Sequence, residues 1–213
     1  EKIADFLNGV PANKEKHYYY KNIFKPKNDL ERAARWFYLN RTSYSGIMKM
    51  ENCYFGYGDK YSMRPEKWRR HLLLTSNKLQ DVKLLNKDFA EIIDNAPDNS
   101  FLFVDPPYFN RDQDKFYSVS FSKENHIRLR DVLKKNSKRL KFLITYDNEQ
   151  EVKDMYSWAH VIMDKEWNYM IYRTDDQTKE RNGNSKHNGK RYKGKEIFIL
   201  NYNNGNNASL KNY

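Results

Sequence analysis

The run Phe101-Leu102-Phe103-Val104-Asp105-Pro106-Pro107-Tyr108 limits what this chain can fold into more than any other stretch. Its first four residues are apolar without alternation, which predicts a strand covered on both faces of a parallel sheet. Pro106 and Pro107 cannot donate to a sheet ladder, so the chain has to leave the sheet there. The Asp105 carboxylate, the Pro106 carbonyl and the Tyr108 ring are then carried on a stiff loop at the carboxyl end of a strand, the edge of an open α/β sheet where ligands bind. A carboxylate and a carbonyl side by side are two acceptors, matched to an amino group with two hydrogens to give. A tyrosine face beside them can stack a flat ring. The exocyclic amine of a nucleobase meets all three conditions; the bland alternative is an ordinary Asp-Pro turn after a strand.

The chain has 213 residues, enough for one domain with a sizeable core and a small insertion. Its net charge of +11 favours a polyanionic partner without separating DNA, RNA and an anionic membrane. Seventeen tyrosines and twelve phenylalanines among many Lys and Arg suit stacking on bases. An AT-biased genome also writes Lys, Asn, Ile and Tyr freely, and both explanations contribute. Cys53 is the only cysteine, so neither an intrachain disulfide nor a cysteine metal cluster is open to this sequence. The five histidines are scattered without ligand spacing, and no metal is expected. No apolar run reaches the length of a membrane span, and the first residues do not read as a signal peptide, so an intracellular protein is expected.

Along the chain, Ile3, Phe6 and Leu7 have helical spacing that Pro11 breaks. His17 to Lys21 either line a groove or pack on a neighbouring helix. Asn28 or Asp29 caps a helix to about Leu39, with Leu30, Ala33, Ala34, Phe37 and Tyr38 as its buried stripe. Residues 41–62 read as a hairpin-like loop punctuated by Gly46, Gly56 and Gly58; taken alone, its Arg and Lys are simply solvated. Pro65 opens a helix through about Leu74 with Trp68 and Leu72 inward, and Ser76 caps a short turn. Val82 to Leu85 reads as a strand. Asp88 after it is either a helix cap or, with Phe89, an acceptor and a ring for a purine. Residues 109–121 lack periodicity and form a candidate flap. Ser122 caps a helix to about Lys135, with Ile127, Leu129, Val132 and Leu133 apolar. Phe142 to Tyr146 is a buried strand, followed by Asp147 and Asn148. Strand, helix and strand here make a right-handed crossover. A short helix at 149–157 precedes strands at Val161 to Met163 and Asn168 to Arg173, and the last strand runs from Glu196 to Tyr202. Residues 174–194 are polar and basic and either grip phosphates or stay unfolded.

Asp105-Pro106-Pro107-Tyr108 resembles the catalytic motif of the amino-methylating DNA methyltransferases. The leading Asp is similar to the adenine-specific branch; Ser is usual in the cytosine branch. Phe37 to Gly46 resembles the start of the target-recognition segment of Dam-type DNA adenine methyltransferases, which precedes the catalytic motif there as it does here. Glu196 to Tyr202 is similar to the closing strand of that family, so the resemblance covers about residues 28 to 202. It implies an α/β fold, a Rossmann-like S-adenosylmethionine-dependent methyltransferase sheet with a small inserted DNA-recognition segment. The implied division is an N-terminal segment at 1–27, recognition helices and hairpin at 28–80, and a catalytic domain at 81–213. The implied reaction is methyl transfer from S-adenosylmethionine to N6 of an adenine flipped out of double-stranded DNA. The implied setting is the cytoplasm, bacterial or phage-encoded, in restriction-modification or as an orphan methylase, with no membrane partner.

By the same resemblance Asp105, Pro106, Pro107 and Tyr108 are catalytic, and Asp88, Phe89 and Asp105 hold the cofactor. Arg41, Tyr44, Ser45, Lys49, Lys190 and Arg191 contact DNA. Tyr44 stands where an aromatic enters the duplex beside the flipped base. Lys49 stands where members that read GATC carry Arg; Lys cannot form the same fork to guanine, which leaves the recognition sequence open. One departure is plain. The family's Phe-x-Gly-x-Gly turn, which cradles the methionine end of the cofactor, is absent, and Gly9 stands alone. The first sheet strands are therefore expected from an upstream segment or a second polypeptide. Without them, the alternative is a DNA-binding regulatory subunit with no activity of its own. A third reading, methylation of an amine on RNA or protein, is opposed by the basic segment before the motif.

Overall fold

The computed structural model describes residues 1–58, 62–109, 121–168 and 193–203. They form two compact units, one holding the described residues up to Asn86 and the other those from Lys87 onward.

The first unit is helical, with α1 (Lys2–Phe6), α2 (Lys14–Tyr18), α3 (Asp29–Thr42) and α4 (Trp68–Lys78). α3 begins where Asn28 Oδ1 accepts from the Glu31 amide at 2.9 Å, while the Glu31 carboxylate accepts from the Lys27 amide at 2.7 Å. The two bonds satisfy amides that a helix start leaves open. α3 runs three residues past the expected end at Leu39. Thr42 is buried and its hydroxyl donates to the Tyr38 carbonyl at 2.8 Å, so the last turn is held from inside. The fully buried face is Ala34, Tyr38, Leu39 and Thr42; Leu30, Ala33 and Phe37 of the expected stripe are only half-buried. Tyr38 donates to the Pro11 carbonyl at 2.7 Å, and the rings of Tyr20 and Trp68 lie 4.5 and 5.8 Å from its own.

In the His17 to Lys21 stretch, His17 and Tyr20 face inward and Tyr18 faces out. α4 continues to Lys78 and carries Ser76 inside it, not as a cap, because nothing between Trp68 and Lys78 breaks a helix. Val82 to Leu85 is not a strand. Among the described residues no ladder pairs with it, and Val82, Leu84 and Leu85 are exposed. Strand propensity without a partner does not make a strand.

The second unit is a mixed α/β layer, as a Rossmann-like methyltransferase sheet requires. Its helices are α5 (Phe89–Asp94), α6 (Lys123–Asn136) and α7 (Gln150–Met155). Its strands are β1 (Phe101–Val104), β2 (Lys141–Asp147), β3 (Val161–Asn168) and β4 (Lys193–Leu200), in the order β1-β2-β4-β3. β1 and β2 are parallel and joined through α6; β4 is antiparallel to both of its neighbours. Ser122 Oγ caps α6 by accepting from the Asn125 amide. Leu129, Val132 and Leu133 of α6 pack on Phe142, Ile144 and Tyr146 of β2 and on Ile197 and Ile199 of β4 in one core. Each such side chain contributes roughly 1.5–3 kcal/mol on full burial.

Two strand expectations need correction. β1 is not covered on both faces: Leu102 and Val104 pack against the core, but Phe101 and Phe103 are 54% and 63% exposed. β1 ends the strand order, and on that face Phe101 meets the Tyr202 ring edge-on at 6.3 Å. β3 runs past the expected end at Met163 to Asn168, and the second expected strand, Asn168 to Arg173, lies beyond that residue outside the described set. β4 pairs with it from Val161↔Leu200 to Asn168↔Lys193, and Lys165 and Glu166 stand opposite Glu196 and Lys195. Opposite charges across a ladder carry a strand through a polar stretch. β4 starts three residues before the expected Glu196, and residues 169–173 lie outside the described set.

Two side chains lock the α6–β2 corner. Asn201 accepts from the Phe142 amide at 2.8 Å and donates to the Ser137 and Leu140 carbonyls. Arg139 donates to the carbonyls of Ile93 and Asp94, capping the open end of α5. No helix among the described residues is long and apolar enough to cross a membrane.

Candidate active site and recognition segment

β1 and β2 run in register, Val104 beside Ile144, so the next residues along, Asp105 and Thr145, are neighbours. Thr145 donates its hydroxyl to Asp105 Oδ1 at 2.7 Å. Two residues further on, Asp147 Oδ1 accepts from the Phe109 amide at 2.9 Å. Thr145 and Asp147 are buried, Asp105 is exposed, and Pro106, Pro107 and Tyr108 are half-buried. The expected loop at the carboxyl end of a strand is therefore present, tied to β2 at each end.

A cavity of about 340 Å³ opens beside this loop. Its walls include Phe89, Ile92, Leu102, Val104, Pro106 and Phe121, and Asp105 lies on its border. Apolar walls with a few fixed polar groups are what a flat heterocycle needs. Asp88 caps α5, its Oδ1 accepting from the Ala90 amide at 2.9 Å. Its Oδ2 accepts from Arg128 at 2.5 Å, and the Arg128 guanidinium lies 4.3 Å from the centre of the Phe89 ring. The bond from Arg128, and then the Ala90 amide, hold the Asp88 carboxyl below its ordinary range. Asp88 is thus a helix cap, and Phe89 next to it is a wall of the cavity. The geometry fits the helix-cap reading of Asp88.

His126, on α6, lies under the loop. It is 1% exposed, bonded through Nδ1 to the Tyr146 hydroxyl at 2.6 Å, and the rings of Phe109 and Phe121 meet it edge-on at 5.1 and 4.7 Å. Burial lowers its pKa against the opposing pull of Asp147. Among the described residues no cluster of His, Cys, Asp and Glu has the makings of a metal site.

The candidate recognition segment belongs to the first unit. It is not a ladder but a closed loop: one bridge pairs Ser43 with Phe55, the Tyr44 amide donates to the Tyr54 carbonyl at 2.8 Å, and the Gly56 amide donates to the Thr42 carbonyl at 2.9 Å. Two short turns of helix, Tyr44–Gly46 and Met50–Asn52, fill its span. Gly56 has to be glycine, because a Cβ there would meet the Tyr44 Cα at 2.4 Å. Ser45 and Gly46 take left-handed φ angles of 50° and 69°. Asn40 donates to the Gly46 carbonyl and accepts from Arg41. Arg41, Tyr44 and Ser45 are exposed, and Lys49 is half-buried. His17 supports the base, with Nδ1 2.8 Å from the Thr42 hydroxyl and Nε2 3.1 Å from the Cys53 carbonyl. Burial lowers its pKa too.

Lys190 and Arg191, the rest of the polar stretch 174–192, and the interior of the candidate flap, 110–120, lie outside the described residues. Thr145, Asp147, Arg128 and His126 are site neighbours that the sequence pattern did not single out. The one available signal was Thr145 and Asp147 at alternate positions of a buried strand, where polar side chains need a partner.

Residues 2–171 match the profile of the D12 class N6 adenine-specific DNA methyltransferases. The type II methyltransferase M.CviBI of Paramecium bursaria Chlorella virus NC1A is 29% identical over 177 residues, which is 80% of this chain and 65% of the relative. The type II methyltransferase M.MjaIII of Methanocaldococcus jannaschii is 32% identical over 153 residues, 64% of this chain and 52% of the relative. M1.LlaDCHI of Lactococcus lactis subsp. cremoris, another type II methyltransferase, is 20% identical over 177 residues. The chain spans less than two thirds of the length of these relatives.

Proposed function

The chain belongs to the D12 class of N6 adenine-specific DNA methyltransferases, and on that premise we propose that it methylates N6 of an adenine turned out of double-stranded DNA. The observation that carries the reading is the Asp105 carboxylate fixed at the end of β1 on the border of an apolar cavity. Enzymes that act on a base in a duplex take it out of the stack. In the proposed complex Tyr108 stacks on the adenine, and the Asp105 carboxylate and Pro106 carbonyl accept its two amino hydrogens. Holding the amine this way aims its lone pair and removes much of the entropic part of the barrier. S-adenosylmethionine, when bound, supplies an electrophilic methyl group whose bond to sulfur breaks with its electrons as the N6–carbon bond forms. Asp105 faces the positive charge that then develops on nitrogen, and preorganised charge of this kind is a large catalytic effect. The nitrogen sheds its extra proton after transfer.

The cavity walls suit the purine end of the cofactor: Phe89 offers a ring face and Asp88 an acceptor one residue away. On the DNA side, the proposed contacts are Arg41, Tyr44, Ser45 and Lys49 from the recognition segment and Lys190 and Arg191 from the polar stretch. A net charge of +11 supports binding to phosphates.

A second reading is favoured by one observation. Among the described residues β1 is bonded on one side only, with Phe101 and Phe103 exposed. A further strand at that edge, from this polypeptide or a partner, would carry the cradle for the methionine end, and the chain without it would bind DNA without methylating it. Calorimetric titration with S-adenosylmethionine, followed by incubation with duplex DNA and radioactive cofactor, separates the two. Binding and label on adenine are expected; DNA binding without either leaves only the second reading.

A further inference from the structure

We propose that Thr145 and Asp147 are positioning residues that hold the loop Asp105–Phe109 at both ends, and that Thr145 decides which oxygen of Asp105 meets the target amine. The inference rests on the reading of Asp105 given above.

Alternate residues of a strand point to the same face, about 6.5–7 Å apart. Thr145 and Asp147 are such a pair, and each takes one end of the loop: the first bonds the Asp105 side chain, the second the Phe109 backbone. Asp105 is exposed, and an exposed carboxylate is otherwise free to turn through several rotamers. The hydroxyl of Thr145 engages Oδ1 in a charge-assisted bond. That leaves Oδ2 as the oxygen turned to an incoming amino group. Thr145 is itself 8% exposed and β-branched, so its hydroxyl is aimed by packing. Asp147 is 4% exposed, where a carboxylate is retained only with hydrogen-bond partners, and the Phe109 amide is one of them. Pro106 and Pro107 stiffen the middle of the loop; β2 sets its two ends.

Thr145→Val keeps shape and strand propensity and removes only the hydroxyl. It is expected to lower kcat for methyl transfer roughly 10- to 100-fold, as small misplacements at a reacting centre do, with KM for DNA and cofactor within about twofold. Thr145→Ser restores the hydroxyl and is expected to return kcat to within a few-fold of the parent. A purely structural Thr145 would instead lower the unfolding midpoint and leave kcat alone. Asp147→Ala tests the other end by amide hydrogen exchange: the Phe109 amide should exchange faster there and stay protected in Thr145→Val. If Asp147→Ala fails to fold, the Val and Ser pair decides alone. Parental kcat in Thr145→Val, or equal loss in Val and Ser, overturns the proposal. A parent chain that transfers no methyl group overturns the proposed activity of this chain and not the loop clamp, which unchanged exchange at Phe109 in Asp147→Ala overturns separately.

Discussion

The loop 105–109 and the segment 43–56 are both short irregular stretches, and they are held by opposite means. The loop is tied by side chains from a neighbouring strand, 40 and 38 residues away in sequence. The segment is closed by its own backbone, with Tyr44 and Gly56 each bonded across its base and a buried histidine beneath. A stretch fixed by a sheet takes its precision from the sheet and tolerates change at its own surface. A stretch closed by its backbone takes its shape from the residues at its base, so its span is open to variation. Under the proposed function, the first arrangement suits the reacting groups and the second suits contacts that choose a DNA sequence.

The sharpest way to break this contrast is at the loop. Asp105→Ala should lower methyl transfer at least about 100-fold, as loss of a preorganised group at the developing charge does. DNA affinity should stay within about threefold, because phosphate contacts supply most of it. A variant that labels DNA at the parental rate takes the loop out of the chemistry.

The next effect is at the base of the segment. Gly56→Ala places a methyl group against the Tyr44 backbone and should destabilise the first unit by roughly 1–3 kcal/mol, the usual range for overpacking. A parental urea midpoint would mean that the base is not where the segment gets its shape.

The span itself is tested next. Lys49→Ala should cost roughly 1–3 kcal/mol of discrimination at one base pair and little non-specific binding. Tyr44→Ala should reduce base flipping, read as a lost gain in 2-aminopurine fluorescence at the target position. If both variants methylate the same sites at the parental relative rates, the segment is scaffold.

The smallest expected effect is shared by both regions. Each rests on one buried histidine, His17 or His126, whose pKa burial lowers from 6.5. The unfolded chain therefore takes up protons first as pH falls. Stability contributed by the neutral histidines is complete above about pH 6.5 and declines as pH drops below it, towards the folded-state pKa of each. A urea midpoint that holds steady from about pH 8 to pH 5 would show that neither ring matters to its region.

Local signals in the sequence located what local chemistry decides. Asn28 and Ser122 cap their helices because a side-chain oxygen three residues before an open amide is sufficient. The apolar run at 142–146 and the proline break after Val104 placed β2 and the loop. What depended on distant partners was not legible. Val82 to Leu85 has strand composition and, among the described residues, no neighbour to pair with. Phe101 and Phe103 look like core residues and are exposed, while Leu102 and Val104 of the same strand pack on the core. α3 reaches Thr42 through a hydroxyl turned inward, and the bonds of Thr145 and Asp147 to the loop span some forty residues. Nothing in a run of strand residues announces them.

Among the described strands β4 is the last in sequence and an interior strand in space, seated between β2 and β3. During synthesis, β2 and β3 leave the ribosome before the residues that will join them. Until Lys193–Leu200 emerges, β2 has a bare edge and β3 has no partner among the described strands. Pairings that arrive this late and span this much chain fold slowly. An unpaired apolar edge in the waiting intermediate invites contact with other nascent chains. Removing β4 would therefore not trim the sheet at its rim but divide it. Mutations along Glu196–Leu200 should show first as poor soluble yield, before any change in the rate or choice of methylation is measurable.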